Sequence, residues 1–265
     1  MPAKGVALQV SRALTIATSD SGGGAGIQAD LKAFGAAGVY GTSVLVALTA
    51  QNTKEVTAIH ELPPAFVLAQ LEAIFDDIGV DAAKTGMLFS RSVIATVAAF
   101  LVHHPVPLVV DPVMVASSGA KLLEDNAVEL LVSRLFPLAT VVTPNLPEAV
   151  ALAGVDAPRP ALAERLHALG APAVIVTGGH GDPVDHLFDG SHHLEIPVAR
   201  HAVGATHGAG CTHSATLAAL LARGASLDEA ARGAAEAASA AVEHGLAEIG
   251  AGDGPVDVLN LKAVA

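Results

Sequence analysis

Short apolar, β-branched runs recur along the chain, each closed by a polar or glycine-bearing turn and followed by a longer stretch with helical spacing. The runs fall at residues 13–17, 43–49, 81–84, 107–110, 140–143 and 173–177. Helical patterns are predicted at 25–37, 63–76, 90–102, 124–135 and 161–169. Such alternation predicts βαβ units, hence an α/β chain with a mainly parallel sheet covered on both faces. Residues 184–187 and 193–197 flank Asp189-Gly190 and predict a hairpin. Two Ala-rich helices, 210–223 and 227–244, close the chain. No linker, repeat or low-complexity tract interrupts the pattern, so residues 1–265 read as one three-layer α/β/α domain.

Composition supports a large core and narrows the partners. Hydrophobic residues make up 52% and charged residues 15% of the 265 positions, with aromatics at 3%, so Ala, Val and Leu must carry the packing. A formal charge of -12 repels a phosphate backbone and argues against nucleic acid. A local nest of backbone N–H groups can still hold a nucleotide's phosphates. Cys211 is the single cysteine, which rules out an intrachain disulfide and fits a reducing cytoplasm. Neither a signal peptide nor a membrane-spanning run is expected.

In parallel sheets of this kind ligands bind beyond the carboxyl ends of the strands, where polar and glycine residues gather. The strongest motif is Thr206-His207-Gly208-Ala209-Gly210-Cys211-Thr212, leading into an Ala-rich helix. Small residues let the backbone approach a ligand, and a helix start presents free N–H groups and partial positive charge. Such a site suits a transferring phosphoryl group. A thiol at a helix N-terminus tends towards a lowered pKa, so Cys211 is expected to assist a substrate hydroxyl. The plainer reading is a glycine turn with a buried cysteine. Ser19-Asp20-Ser21-Gly22-Gly23-Gly24 forms a second glycine-rich turn, fitting neither a Rossmann fingerprint nor a Walker A loop. Asp111 and Glu148 each follow a strand and offer hard oxygen ligands for Mg²⁺; alternatively Asp111 caps a turn and Glu148 begins a helix. The pairs His103-His104 and His192-His193 are predicted to lie at the surface, whereas His207 is a candidate for positioning.

Taken together the motifs resemble the hydroxymethylpyrimidine/phosphomethylpyrimidine kinases of thiamine biosynthesis, in the ribokinase-like superfamily. The resemblance runs over about residues 13–245 and rests on Gly24-Ala-Gly-Ile-Gln-Ala-Asp30, Thr49-Ala-Gln-Asn-Thr53, Lys84-Thr-Gly-Met87, Asp111-Pro-Val-Met-Val115, Thr143-Pro-Asn-Leu-Pro-Glu148, Gly178-Gly-His180 and Thr206 to Thr212. It implies a ribokinase-like fold, ATP and Mg²⁺ as cofactors, and phosphorylation of 4-amino-5-hydroxymethyl-2-methylpyrimidine and then of its monophosphate. By motif match Asp30, Gln51, Met87 and Val113 surround the pyrimidine, and Gly208, Ala209 and Gly210 form the anion hole beside the catalytic Cys211. Asp111 and Glu148 serve the metal, while Thr143, Asn145, Thr177, Gly178, Gly179 and Thr206 line the nucleotide. A homodimer is implied as well. The sequence departs from the family pattern at Thr18, Ser117, Thr177 and Val203-Gly204-Ala205, and Ser117 and Thr177 each replace a usual lysine near phosphate. Thr177-Gly-Gly also resembles a pyridoxal kinase subgroup, which makes vitamin B6 phosphorylation the alternative. A pyrimidine-binding protein without turnover is the other.

Overall fold

The computed structural model describes residues 10–114, 127–179 and 181–263. Its centre is one nine-stranded sheet. In chain order the strands are β1 (Arg12–Asp20), β2 (Tyr40–Gln51), β3 (Val56–Glu61), β4 (Ala82–Thr85), β5 (Leu108–Val110), β6 (Val141–Val142), β7 (Val174–Val176), β8 (Val184–Phe188) and β9 (His193–Pro197). Across the sheet the order is β3-β2-β1-β4-β5-β6-β7-β8-β9. Strands β2, β1, β4, β5, β6 and β7 run parallel, and β3, β8 and β9 add antiparallel margins.

Eight α-helices connect them: α1 (Gly26–Ala36), α2 (Pro64–Ala73), α3 (Arg91–His103), α4 (Val128–Arg134), α5 (Leu146–Ala153), α6 (Arg159–Ala168), α7 (Ala209–Ala222) and α8 (Leu227–Glu243). Alternation along the strands divides the core between the two faces. Val109 and Ile175 pack with Phe34 of α1, Leu217 of α7 and Ala231 of α8. Their neighbours Leu108, Val110, Val174 and Val176 pack with Val67 of α2, Val93 of α3, Leu131 of α4 and Leu162 of α6. Each such aliphatic side chain contributes about 1.5–3 kcal/mol by leaving water. The expected α/β/α layering is therefore present.

Two elements depart from expectation. β3 lies at the sheet's edge, and all six of its residues are exposed or half-buried, so it carries no apolar run to betray it. α5 bears out the alternative reading that Glu148 begins a helix: Asn145 caps it and Glu148 closes a capping box. The predicted helix 63–76 stops as α-helix at Ala73 and continues as a wider π turn through Ile78. Residues 124–126 of another predicted helix lie outside the described residues. The strand order reverses between β1 and β4, where connections lead away in opposite directions and leave a crevice at the carboxyl ends. Among the described residues no helix is long and apolar enough to cross a membrane.

Candidate active site

Two helix starts meet at that crevice. α7 begins after Gly208, whose φ of 87° lies in the left-handed region; a Cβ there would also overlap the Gly24 carbonyl oxygen. Glycine is thus required twice over, by conformation and by contact with the β1–α1 turn. Across from it α1 begins at Gly26, whose N–H points at the Cys211 thiol. The Ala209 N–H returns to the Thr206 carbonyl at 3.1 Å, whereas those of Gly210 and Cys211 have no backbone acceptor among the described residues. Nothing lies within 4 Å of a Cβ built on Gly210. The open donors at this helix start are therefore the N–H groups of Gly210 and Cys211, with Gly208 shaping the turn.

The expectation of a lowered Cys211 pKa is overturned. The residue keeps some solvent contact, but its sulfur sits in a crevice dense with protein atoms. Burial pushes the thiol up to about 12; the charges of Asp30 and Asp111 add to this, against the pull of Lys84 and the Gly26 N–H. Desolvation and two carboxylates outweigh the helix dipole.

Beneath Cys211 lies a charged network that the site reading missed. Lys84 of β4 is fully buried and bonds both Asp30 oxygens, at 2.8 and 2.9 Å. Thr15 donates to the same carboxylate at 2.6 Å. Burial favours neutral groups, raising Asp30 and opposing Lys84's charge, but Asp30 holds the Lys84 ammonium above its ordinary value. Three donors on one carboxylate make the ionised pair the state we adopt. Asp30 was expected beside the ring; with no exposed surface, it instead supports the crevice floor. The sequence signal for Lys84 was a lysine at the end of a short predicted strand, Asp81-Ala-Ala-Lys84.

Asp111, at the end of β5, accepts from Ser214 of α7 at 2.8 Å and lies 3.9 Å from Lys84. Glu148 and Asn145 do take the helix-capping roles, with bonds of 2.9 and 3.0 Å. Yet Glu148 is pushed up to about 8, by burial first and by the Asp111 charge second. The two carboxylates thus oppose each other's charge, and carboxylate oxygens are the donor type a hard divalent cation takes. Among the described residues no cluster of three or more His, Cys, Asp or Glu could hold a metal ion.

The other predicted residues fall around this crevice unequally. Met87 is buried, and Thr18 donates to its carbonyl at 3.1 Å. Val113, just past β5, is half-buried. Gln51 and His207 line a cavity of about 370 Å³ with Asn52, Thr53, Lys54, Gly252 and Asp253. That cavity reaches only Gln51 among the four predicted ring neighbours, so it is an outer chamber rather than the whole ring site. Thr143 is buried, and its Oγ1 lacks a partner among the described residues. Thr206 is tied to Asp253 through its N–H at 2.8 Å. Thr177 bonds its N–H to Pro144. Gly178 donates to Asp185 at 2.6 Å and has no room for a Cβ beside Val184, so its N–H is committed; Gly179 is open. Ser117 and His180 lie outside the described residues. Asp20 and His207, 3.1 Å apart, join the two glycine turns.

The phosphomethylpyrimidine kinase family model matches residues 20–257. The hydroxymethylpyrimidine/phosphomethylpyrimidine kinase of Rhizobium meliloti is 49% identical over 253 residues, covering 92% of this chain and 95% of the relative. The thiamine biosynthesis bifunctional protein ThiED of Geobacter sulfurreducens is 52% identical over 254 residues, covering 92% of this chain; the match spans about half (51%) of that longer protein. Among solved structures, an ADP complex of Bacillus subtilis pyridoxal kinase superposes with a TM-score of 0.87 at 38% identity, covering 96% of this chain and 99% of that one. With a family model over most of its length and close relatives along nearly all of it, the chain belongs to the phosphomethylpyrimidine kinase family.

Proposed function

We propose that the chain, acting as one kinase unit, transfers the γ-phosphoryl of ATP to the hydroxymethyl of 4-amino-5-hydroxymethyl-2-methylpyrimidine, and then phosphorylates the monophosphate, in thiamine biosynthesis. The observation that carries this reading is the meeting of the α1 and α7 starts at Cys211, beside Asp111 and Glu148. Open N–H groups of Gly210 and Cys211 would receive the transferring oxygens, where fixed donors in a low dielectric act most strongly. Met87 and Val113 would pack on the ring while Gln51 bonds its edge. Mg²⁺ on Asp111 and Glu148 would neutralise phosphate charge, with Thr143, Asn145, Thr177, Gly179 and Thr206 along the nucleotide. Transfer through a loose transition state asks little of the nucleophile. The Cys211 thiol, held protonated at neutral pH, would therefore orient the hydroxymethyl oxygen, whose proton would pass late to an oxygen of the transferred phosphoryl as its O–P bond forms and the bond to ADP breaks.

The Rhizobium meliloti relative, 49% identical, is named for the pyrimidine, whereas the pyridoxal kinase named above is 38% identical. That contrast favours the pyrimidine over pyridoxal, the second reading. Product analysis after reaction with Mg-ATP and hydroxymethylpyrimidine tests the proposal: ADP, pyrimidine monophosphate and then pyrophosphate are expected. Binding without ADP release would leave a sensor, and a product stopping at monophosphate would place the loss at Ser117 and Thr177. The homodimer and cytoplasmic location implied by the family resemblance complete the proposal; sedimentation reads the first and cell fractionation the second.

A further inference from the structure

The terminal amide of Gln51 lies with its Oε1 3.2 Å from Oγ1 of Thr49 and its Nε2 3.4 Å from Nε2 of His207. A half-turn exchanges the amide's oxygen and nitrogen without moving another atom, so the neighbours' hydrogens decide which end faces which. Thr49 has one hydroxyl hydrogen, and the Ser19 carbonyl 3.0 Å away can only accept it. Lone pairs remain on Oγ1, and these suit the amide's NH₂ rather than its oxygen.

His207 gives the same answer from the other side. Its Nε2 faces Oδ2 of Asp20 at 3.1 Å. Burial pushes the Asp20 carboxyl up, but the His207 bond and the N–H groups of Ala25 and Gly22 outweigh it and hold the group below its usual range. A ring nitrogen facing an ionised carboxylate must carry its one hydrogen; directed mainly at Asp20, that hydrogen can be shared with an amide oxygen, whereas an amide NH₂ would set N–H against N–H. The imidazole cannot swing away, because it packs so tightly on Gly24 that a Cβ there would overlap its Cδ2.

We infer that His207, anchored by Asp20, is a positioning residue that turns the Gln51 oxygen towards itself and the Gln51 nitrogen towards Thr49. Of the amide's two hydrogens and two lone pairs, one of each is then spent. One N–H and one lone pair remain for a ligand, the pattern with which glutamine reads an adenine edge. A 4-aminopyrimidine edge offers the complement, a ring nitrogen that accepts beside an amino group that donates. This inference rests on the pyrimidine reading for what the amide meets, and not for how the amide is held.

Two measurements on the full-length enzyme test it. In ¹⁵N NMR of histidine-labelled protein, with the His207 signal assigned by its loss on substitution, Nε2 is expected to carry hydrogen. Calorimetry then gives the ratio of dissociation constants for 4-amino-5-hydroxymethyl-2-methylpyrimidine and its analogue lacking the 4-amino group. In His207→Leu the preference for the amino compound should fall about tenfold, the scale of one misplaced hydrogen bond. His207→Gln reaches as far as Nε2 and brings donors for both Asp20 and Gln51, so it should restore the preference. Thr49→Val, which keeps the side chain's shape, should lower it about threefold and serves if His207→Leu fails to fold. A purely structural clamp on the glycine turns would weaken both ligands alike. An unchanged ratio in the folded variants, or a bare Nε2, overturns the inference. Wild-type protein that binds neither pyrimidine overturns the functional reading instead, and the NMR still decides how Gln51 is held.

Discussion

Gly208 concentrates the demands of the anion hole in one residue. Its left-handed φ and its contact with the Gly24 carbonyl leave no place for a side chain. Gly208→Ala should therefore lower kcat by at least about 10²-fold, the cost of displacing one oxyanion-type donor, with KM for the pyrimidine changed less. Steady-state kinetics on folded protein checks this. Cys211→Ala should lower kcat by roughly 10²-fold, the low end for a group assisting proton movement, because the thiol is pushed up to about 12 and a loose transition state asks little of it. Near-native turnover would remove Cys211 from the chemistry. The run Thr206 to Cys211 was legible in sequence because glycine spacing before a helix has a direct physical meaning. The Cys211 environment was not: the charges that act on it, on Asp30, Asp111 and Lys84, lie more than 90 residues away in the chain and meet it only in the fold.

At the scale of elements, pairs of buried polar groups tie the helices to the sheet. Lys84 of β4 and Asp30 of α1 form one such tie. Lys84→Met strands the Asp30 carboxylate and should cost about 3–5 kcal/mol, on the order of 10 °C in a thermal melt. His213 of α7 and Asp185 of β8 form another, at 3.0 Å. Burial raises the Asp185 carboxyl, yet the charge and hydrogen bond of His213 win and leave it below its usual 3.8. A carboxyl depressed in the folded state contributes stability above its unfolded pKa and loses it as pH falls through the folded value. The melting temperature should accordingly drop below about pH 4, and Asp185→Asn should flatten that drop while lowering stability at neutral pH. Strands β5 and β7 were legible because burial on both faces leaves continuous apolar runs. β3 was not, since an edge strand exposed on both sides can hold Thr57 and His60. α5 was legible only as the alternative reading, because Pro147 in its first turn and its eight-residue length imitate a loop.

For the whole molecule, the order of the sheet brings distant motifs together. The switch between β1 and β4 sets the turn after Asp20, the Gly86-Met87 segment, Asp111 and the start of α7 around one crevice, and chain order alone does not reveal which of them touch. The family resemblance named the participants, while the fold puts Asp30 beneath the floor and commits the Gly178 N–H to Asp185. The central claim is that this crevice phosphorylates a hydroxymethylpyrimidine. It is tested most directly by kcat/KM, measured by ADP release with Mg-ATP at saturation, for 4-amino-5-hydroxymethyl-2-methylpyrimidine against pyridoxal. The account predicts turnover of the pyrimidine with a kcat/KM at least about tenfold higher, as one matched hydrogen-bond pair supplies; a preference for pyridoxal, or no ADP release with the pyrimidine, would contradict it.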